Sequence, residues 1–411
     1  MKQTIYFLAL VLLAASCQKN EWTVQETQND FADLIAVEDN LNIPTWGFLS
    51  YQSKLPEYLR ALGMNTPQIS NGKATIGRVL FYDKNLSEDR STSCASCHQP
   101  TRAFSDNVAF STGLKGQKTH RNSPPLSNVA NFAAHYKAAT GPRPLLFWDD
   151  RASSVGEQSR ETFANPIEMG MEMPQVVERV KELPYYAWLW KENYGDLNIT
   201  DERVLECVSE FVGAMGSFNS KLDKSLAEAF DLFDETTTVS VDTAITQLYY
   251  GTGGMDTTIT TTIIGLPFFS LSENRGRDVF IANCTKCHSP IRPLQEVFAA
   301  CNGLDEHYED QGLGTLTGNP ADNGVFKSPS LRNIALTAPY MHDGRFNTLE
   351  EVVNFYSNGV KNHPNLHPQM KRNGSTQLNL NNQQKQDLVA FLRTLTDNSF
   401  VESERFSNPF K

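Results

Sequence analysis

Cysteine and histidine are scarce in this chain, seven and eight among 411 residues. Beyond the N-terminus no apolar run approaches the length of a bilayer-spanning helix, which excludes a polytopic membrane protein. No period-two series of apolar residues stands out either, and that removes the case for a sheet protein. Basic residues are outnumbered by acidic ones, 36 against 47, for a formal charge of −11, and nucleic acid is not an expected partner. Hydrophobic content of 40% and charged content of 20% are those of an ordinary globular protein with room for two or three domains.

The scarce residues are grouped. Cys94-Ala95-Ser96-Cys97-His98 and Cys284-Thr285-Lys286-Cys287-His288 each spell Cys-x-x-Cys-His, the attachment signature of a c-type haem. The two thiols add across the haem vinyl groups as thioethers, and the adjacent His supplies an axial iron ligand. A Cys/His zinc site does not require His directly after Cys-x-x-Cys, so two covalent haem c groups are the expectation. With haem present, the negative charge gains a second meaning, since acidic surfaces steer basic electron carriers into encounter.

Residues 1–16 carry Lys2 and then a short apolar stretch from Ile5 to Ala15, the pattern of a secretory signal. The stretch ends in Ala14-Ala15-Ser16-Cys17, which resembles a bacterial lipoprotein cleavage box with Ala14 in place of the usual Leu. Cys17 is then the lipidated first residue of the mature chain and 17–45 a polar tether on the periplasmic side of a bacterial membrane; an ordinary signal with an incidental Cys is the alternative. Export suits the chemistry, because bacterial haem attachment takes place outside the cytoplasmic membrane. Cys207 and Cys301 remain, as a disulfide or as two buried thiols.

The local signals are helical. Thr200 precedes Asp201 and Glu202 as an N-cap, and Val204, Leu205, Val208, Phe211, Val212, Met215 and Phe218 keep one apolar stripe. Thr348 and Glu351 make a capping box ahead of Leu349, Val352, Val353 and Tyr356. Leu388, Phe391, Leu392 and Leu395 form a further stripe. The expected fold is mostly α, with two tandem cytochrome c-like haem domains at 46–230 and 271–400. Between them lies a Thr-rich insertion, 231–270, as a solvated loop or a subunit contact.

Around the first haem motif run Gly77-Arg78-Val79-Leu80-Phe81-Tyr82-Asp83, Ala103-Phe104-Ser105-Asp106, Arg121-Asn122-Ser123-Pro124, Phe147-Trp148-Asp149-Asp150-Arg151-Ala152 and Asn165-Pro166-Ile167-Glu168-Met169. After the second come Phe326-Lys327-Ser328-Pro329-Ser330-Leu331-Arg332-Asn333 and Leu336-Thr337-Ala338-Pro339-Tyr340-Met341-His342-Asp343-Gly344. This ordered series resembles the bacterial di-haem cytochrome c peroxidases and the related MauG proteins. The resemblance implies a peroxidatic N-terminal haem on His98 and an electron-transfer C-terminal haem on His288. It implies Glu168 as the distal acid/base, Gln158 as a distal-pocket amide and Trp148 as the aromatic between the haems. Asn122, Thr337 and Pro339 match positions that hold a calcium ion between the domains, an oxygen set suited to a hard cation. His342 is expected at the edge of the C-terminal haem.

Two positions depart from the commonest family pattern. The removable sixth-ligand His of the reactive haem is replaced by Leu114, which cannot bind iron, so that iron is expected open in the oxidised protein; His120 and His135 are the other histidines in reach. The usual distal Met of the C-terminal haem is replaced by Tyr356, as in MauG-type proteins, unless Met370 takes that place. The resemblance implies reduction of hydrogen peroxide with electrons from a soluble cytochrome c or cupredoxin, or a MauG-like oxidation of side chains in a protein substrate. A plain di-haem electron carrier is the non-enzymatic reading, and a homodimer is carried over from relatives.

Overall fold

The computed structural model describes residues 24–61, 64–129, 146–234, 266–289, 298–371 and 374–411. The signal segment, Cys17, His135 and the stretch 235–265 of the Thr-rich insertion lie outside them.

Two helix crossings organise the chain. Helix α3 (Asn71–Tyr82) packs on α8 (Asp201–Gly213), and α10 (Leu271–Asn283) packs on α13 (Asn382–Arg393). Both crossings depend on a glycine. A Cβ on Gly77 would sit 1.9 Å from the Cys207 carbonyl oxygen, and one on Gly276 would sit 1.8 Å from that of Asp387. In each case an aromatic one turn later, Phe211 or Phe391, packs beside the contact. The same device thus builds both haem domains, each with its Cys-x-x-Cys-His following the glycine helix.

The capping signals take effect where the sequence places them. Thr200 accepts from the Arg203 N–H, and Thr348 and Glu351 close a capping box. The apolar stripe beginning at Val204 outlasts its helix: α8 ends at Gly213, and Met215 and Phe218 lie in the following segment, buried but not helical. Between the domains' principal helices come α4 (Cys94–Cys97), α5 (Val155–Ala164), α6 (Met173–Glu182), α7 (Pro184–Tyr194) and α9 (Lys221–Asp234). Among the described residues the only sheet is a two-stranded ribbon, β1 (Ala299–Ala300) against β2 (Phe326–Lys327).

Three sequence boundaries are corrected by the packing. The expected tether 17–45 contains a helix, Val24–Asn40, and Val37, Leu41 and Ile43 are buried in the first core, because apolar residues recur along an otherwise polar segment. The boundary at 230 does not divide the cores: Leu222 and Leu226 of α9, with Leu55, Tyr58 and Leu59 from near the N-terminus, pack among Phe280, Phe391 and Leu392 of the second domain. Nor does the second domain end the fold at 400. Phe400 and Phe406 enter the first core against Phe104, Arg78 donates to the Ser407 carbonyl (2.7 Å), and Tyr82 donates to the Phe406 carbonyl (2.6 Å). The C-terminal segment straps the domain it is farthest from in sequence.

A buried ion pair ties α9 to the 326–333 segment. Arg332 meets Asp223 through two hydrogen bonds of 2.8 Å, with 1% and 2% of the side chains exposed. Tyr58 donates to the same carboxylate (2.6 Å), and Ser217 offers its carbonyl to Arg332 (3.1 Å). Cys207 and Cys301 are both buried thiols and not a disulfide.

Candidate functional site

The first haem motif is one helical turn, α4, held by reciprocal bonds between Ser93 and Ser96. Its His98 directs Nδ1 at the Phe104 carbonyl, 2.7 Å away. Nδ1 is then the protonated nitrogen and Nε2 keeps its lone pair, the tautomer a metal requires. The second motif repeats this arrangement: His288 Nδ1 lies 2.9 Å from the Pro329 carbonyl. Burial holds both imidazoles below their usual range, with the carbonyl bonds opposing, so both are neutral ligands in waiting. Burial also pushes the Cys94 thiol up to about 12 and Cys97 up to about 11. Thiols so hard to ionise are poor nucleophiles in the closed domain.

Glu168 is delivered to the first motif by a turn with backbone bonds on both sides. Leu114 N–H donates to the Ile167 carbonyl (2.7 Å), Glu88 N–H to the Met169 carbonyl (2.8 Å), and the Thr92 hydroxyl to the Glu168 carbonyl (3.0 Å). Asn165 shapes the turn from within, accepting from Ile167 N–H (2.9 Å) and donating to Glu168 Oε1 (3.0 Å). The carboxyl lies close enough to Cys94 and Cys97 for its charge to act on both thiols. Burial raises its pKa above the ordinary glutamate range, with a Thr162 hydrogen bond and the Arg151 charge working against the rise. Thr162 stands one helical turn from Gln158 on α5.

Leu114 is fully buried, packed where a side chain on Gly170 would strike it. It is docked beside the Glu168 turn and offers the first iron nothing. His120 is exposed.

The second motif opens into a cavity walled by Phe280, Leu349, Val352, Val353, Leu388 and Leu392, with Cys284, Cys287 and His288 on its lining. Apolar walls with a thiol pair and one neutral imidazole fit a covalent haem. Tyr356 and Met370 both line it, as does Met341. Tyr356 falls in a π-helical turn, Phe355–Gly359, that extends α12 (Leu349–Asn354, following the short α11, Leu313–Thr317), and such turns often accompany functional residues. Asn302 donates to its phenol oxygen (3.4 Å). Burial pushes that phenol up to about 12, and the Asn302 bond opposes the rise.

Trp148 stands in the wall shared by this cavity and a second one that Gln158 lines. Its indole N–H donates to the Asn122 carbonyl (2.8 Å), and its own carbonyl accepts from Lys327 N–H (2.8 Å). Asn122 N–H donates to the His342 carbonyl (2.7 Å), and the His342 ring stacks on Phe326 at 3.8 Å. Arg121 grips Asp310 across the domains with bonds of 2.7 and 2.8 Å. The structure therefore gathers Asn122, Trp148, Thr337, Pro339, His342 and Tyr356 around one cavity, and brings Glu168 to the first motif. Four participants escaped the sequence reading. Asn302 sits in an unremarkable context, Lys327 lies inside a quoted motif that gives it no role of its own, and the Phe104 and Pro329 carbonyls are backbone groups that no residue type announces.

Comparison with known proteins agrees with this geometry. Residues 71–230 match the family model for di-haem cytochrome c peroxidase, and residues 273–396 match that for cytochrome c. The methylamine utilization protein MauG of Methylorubrum extorquens is 30% identical over 338 residues, covering 79% of this chain and 78% of the relative. Cytochrome-c peroxidase IdrP2 of Pseudomonas sp. (strain SCT) is 29% identical over 343 residues, covering 79% and 82%. A solved MauG-like protein associated with microbial copper homeostasis superposes with a TM-score of 0.63 at 27% identity, covering 89% of this chain and 99% of its own. Two haem domains in the expected order, with relatives of both kinds along most of the chain, make this protein a member of the di-haem cytochrome c peroxidase and MauG family.

Proposed function

We propose that the protein reduces hydrogen peroxide to water at the His98 site, drawing electrons from a small periplasmic donor, a soluble cytochrome c or cupredoxin, through the His288 site. The observation that carries the proposal is Glu168: a half-buried carboxyl of raised pKa, held by Asn165 beside the first haem motif, with Leu114 rather than a histidine docked against its turn. Haem, when bound, supplies the iron that takes the peroxide and the redox chemistry that cleaves it. The chain supplies the rest. Glu168 takes the proton from one peroxide oxygen and returns it to the other, a shuttle to which a carboxyl raised by burial is suited. Gln158 orients the peroxide. Trp148, bonded at both its indole and its carbonyl, is the fixed aromatic between the sites. Asn122, Thr337 and Pro339 would hold calcium at the junction; the Asn122 amide nitrogen is spent on the Val108 carbonyl (3.0 Å), which leaves the amide oxygen as the side-chain atom it would offer a cation. Anchoring through Cys17 places the enzyme on the periplasmic face of its membrane.

Steady consumption of peroxide with reduced cytochrome c tests the proposal, and negligible turnover overturns it. The second reading, a MauG-like oxidation of a protein substrate, is favoured by one observation: Tyr356 lines the cavity of His288. A phenolate stabilises ferric and higher iron states more than a thioether does. Replacing Tyr356 with Phe is expected to change the electronic and EPR spectra of the C-terminal haem alone, and an unchanged spectrum assigns the ligand to Met370 or another residue. The EPR spectrum of the oxidised holoprotein is expected to show high-spin ferric iron from the His98 site, because Leu114 leaves it without a sixth protein ligand. A purely low-spin spectrum contradicts that expectation.

A further inference from the structure

Helix α7 carries an aromatic series that the peroxidase reading does not use. Tyr186, Trp190 and Tyr194 follow at intervals of four along one face. The Tyr186 and Trp190 ring centroids are 6.1 Å apart at 78°, and those of Trp190 and Tyr194 are 5.9 Å apart and stacked at 27°. At the inner end Tyr186 is fully buried in the cluster against which Cys94 packs, with the Cys94 sulfur within electrostatic range of its phenol. At the outer end Tyr194 is half-buried at the surface.

An ordinary core stripe needs neither hydroxyls nor acids at its ends, and here both tyrosines have them. Tyr186 donates to the buried Asp83 carboxylate at 2.9 Å, and Tyr194 donates to Glu206 at 3.0 Å. A tyrosine gives up an electron readily only when its proton has somewhere to go, and each of these protons has a carboxylate in contact. Trp190 between them is fully buried, and its indole N–H has no hydrogen-bond partner among the described residues. It passes an electron without moving a proton. Arg203 lies 4.4 Å over the Tyr194 ring and Lys73 5.5 Å, which disfavours a cationic ring but not the neutral radical left once Glu206 has the proton.

We propose that Tyr186, Trp190 and Tyr194 form a one-electron path between the first haem and the protein surface, with Tyr194 as the site where small phenolic reductants deliver electrons. The inference rests on the reading that the first haem meets peroxide. Tyr194 loses an electron inward through Trp190 and Tyr186 to the oxidised haem, and its proton passes to Glu206. The phenolic donor then gives Tyr194 one electron, becoming a phenoxyl radical and releasing its proton, and Glu206 returns the first proton to Tyr194. One peroxide, taking two electrons and two protons to yield two waters, consumes two phenol molecules. The path runs independently of the C-terminal haem.

The test adds one equivalent of hydrogen peroxide to the oxidised holoenzyme without donor, freezes it, and records EPR and optical spectra. A tyrosyl radical is expected in the wild type, absent in Tyr194→Phe and diminished at least tenfold in Trp190→Phe, while the optical response of the haem to peroxide is the same in all three. A nitroso spin trap is expected to mark Tyr194 in peptide mapping. Tyr186→Phe, which keeps the ring and removes only the bond to Asp83, serves if Trp190→Phe does not fold, and is expected to weaken the signal likewise. A haem that responds to peroxide with no tyrosyl radical, or with one unchanged in Tyr194→Phe, overturns the path and leaves the peroxidase reading intact. A haem that does not respond overturns both.

Discussion

Replacing Glu168 with Gln is expected to lower kcat/KM for hydrogen peroxide by roughly 10²–10⁴-fold, the usual worth of a positioned acid/base. Glutamine keeps the size of the side chain, and its amide oxygen still accepts from Asn165, so the 165–170 turn is expected to persist. The variant loses only the ability to take a proton. The pH profile supplies a second readout. Burial raises the Glu168 carboxyl, and the shuttle starts from its ionised form. Activity should therefore fall as pH drops through that raised value, at a higher pH than for an exposed glutamate, and the glutamine variant should lack this acid limb. Haem content and the ferric spectrum measured alongside establish that the site is otherwise whole. Undiminished peroxide reactivity in the variant, with both haems in place, returns the protein to the electron-carrier reading.

Arg332→Leu is expected to destabilise the fold by about 3–5 kcal/mol, the typical cost of stranding a buried charge. Asp223 would keep its bonds to Tyr58 and Ser220 but lose both contacts to the guanidinium. Burial alone would raise the Asp223 carboxyl; in the native protein the Arg332 charge and hydrogen bonds outweigh it and hold the group below the usual range. The sign of the pH effect follows. A depressed native pKa contributes stability that is present above the unfolded value, near 3.9, and lost as pH falls through the native one. In the variant the carboxyl lacks its cation and titrates high, so acidification relieves the strain. The stability gap between wild type and Arg332→Leu should narrow toward low pH in denaturant titrations of the holoprotein. Substituting both partners with apolar residues should recover much of the loss, since no unpaired charge then remains.

Much of this architecture was readable from residues close together in the chain. Cys-x-x-Cys-His is a contiguous signal, and so are the Thr348–Glu351 capping box and the apolar repeat of Asn382–Arg393. The resemblance singles out Glu168 within its Asn-Pro context, and Asn165 bonds both the turn and the carboxyl there. What stayed hidden depends on distant partners. The Arg78 contact with Ser407 and the Arg332 contact with Asp223 join residues whose pairing no local pattern encodes. Gly77 and Gly276 look like any glycine until a facing carbonyl shows that a side chain has no room. The Val204 stripe misled at its end, because burial continues past Gly213 after the helix stops.

The strap of Phe400 and Phe406 across Phe104 has a consequence for biogenesis. Although the His98 domain is translated first, its interior stays unsealed until residues near 406 have been made. That delay is expected to leave Cys94 and Cys97 open to covalent attachment until the strap closes over the first domain.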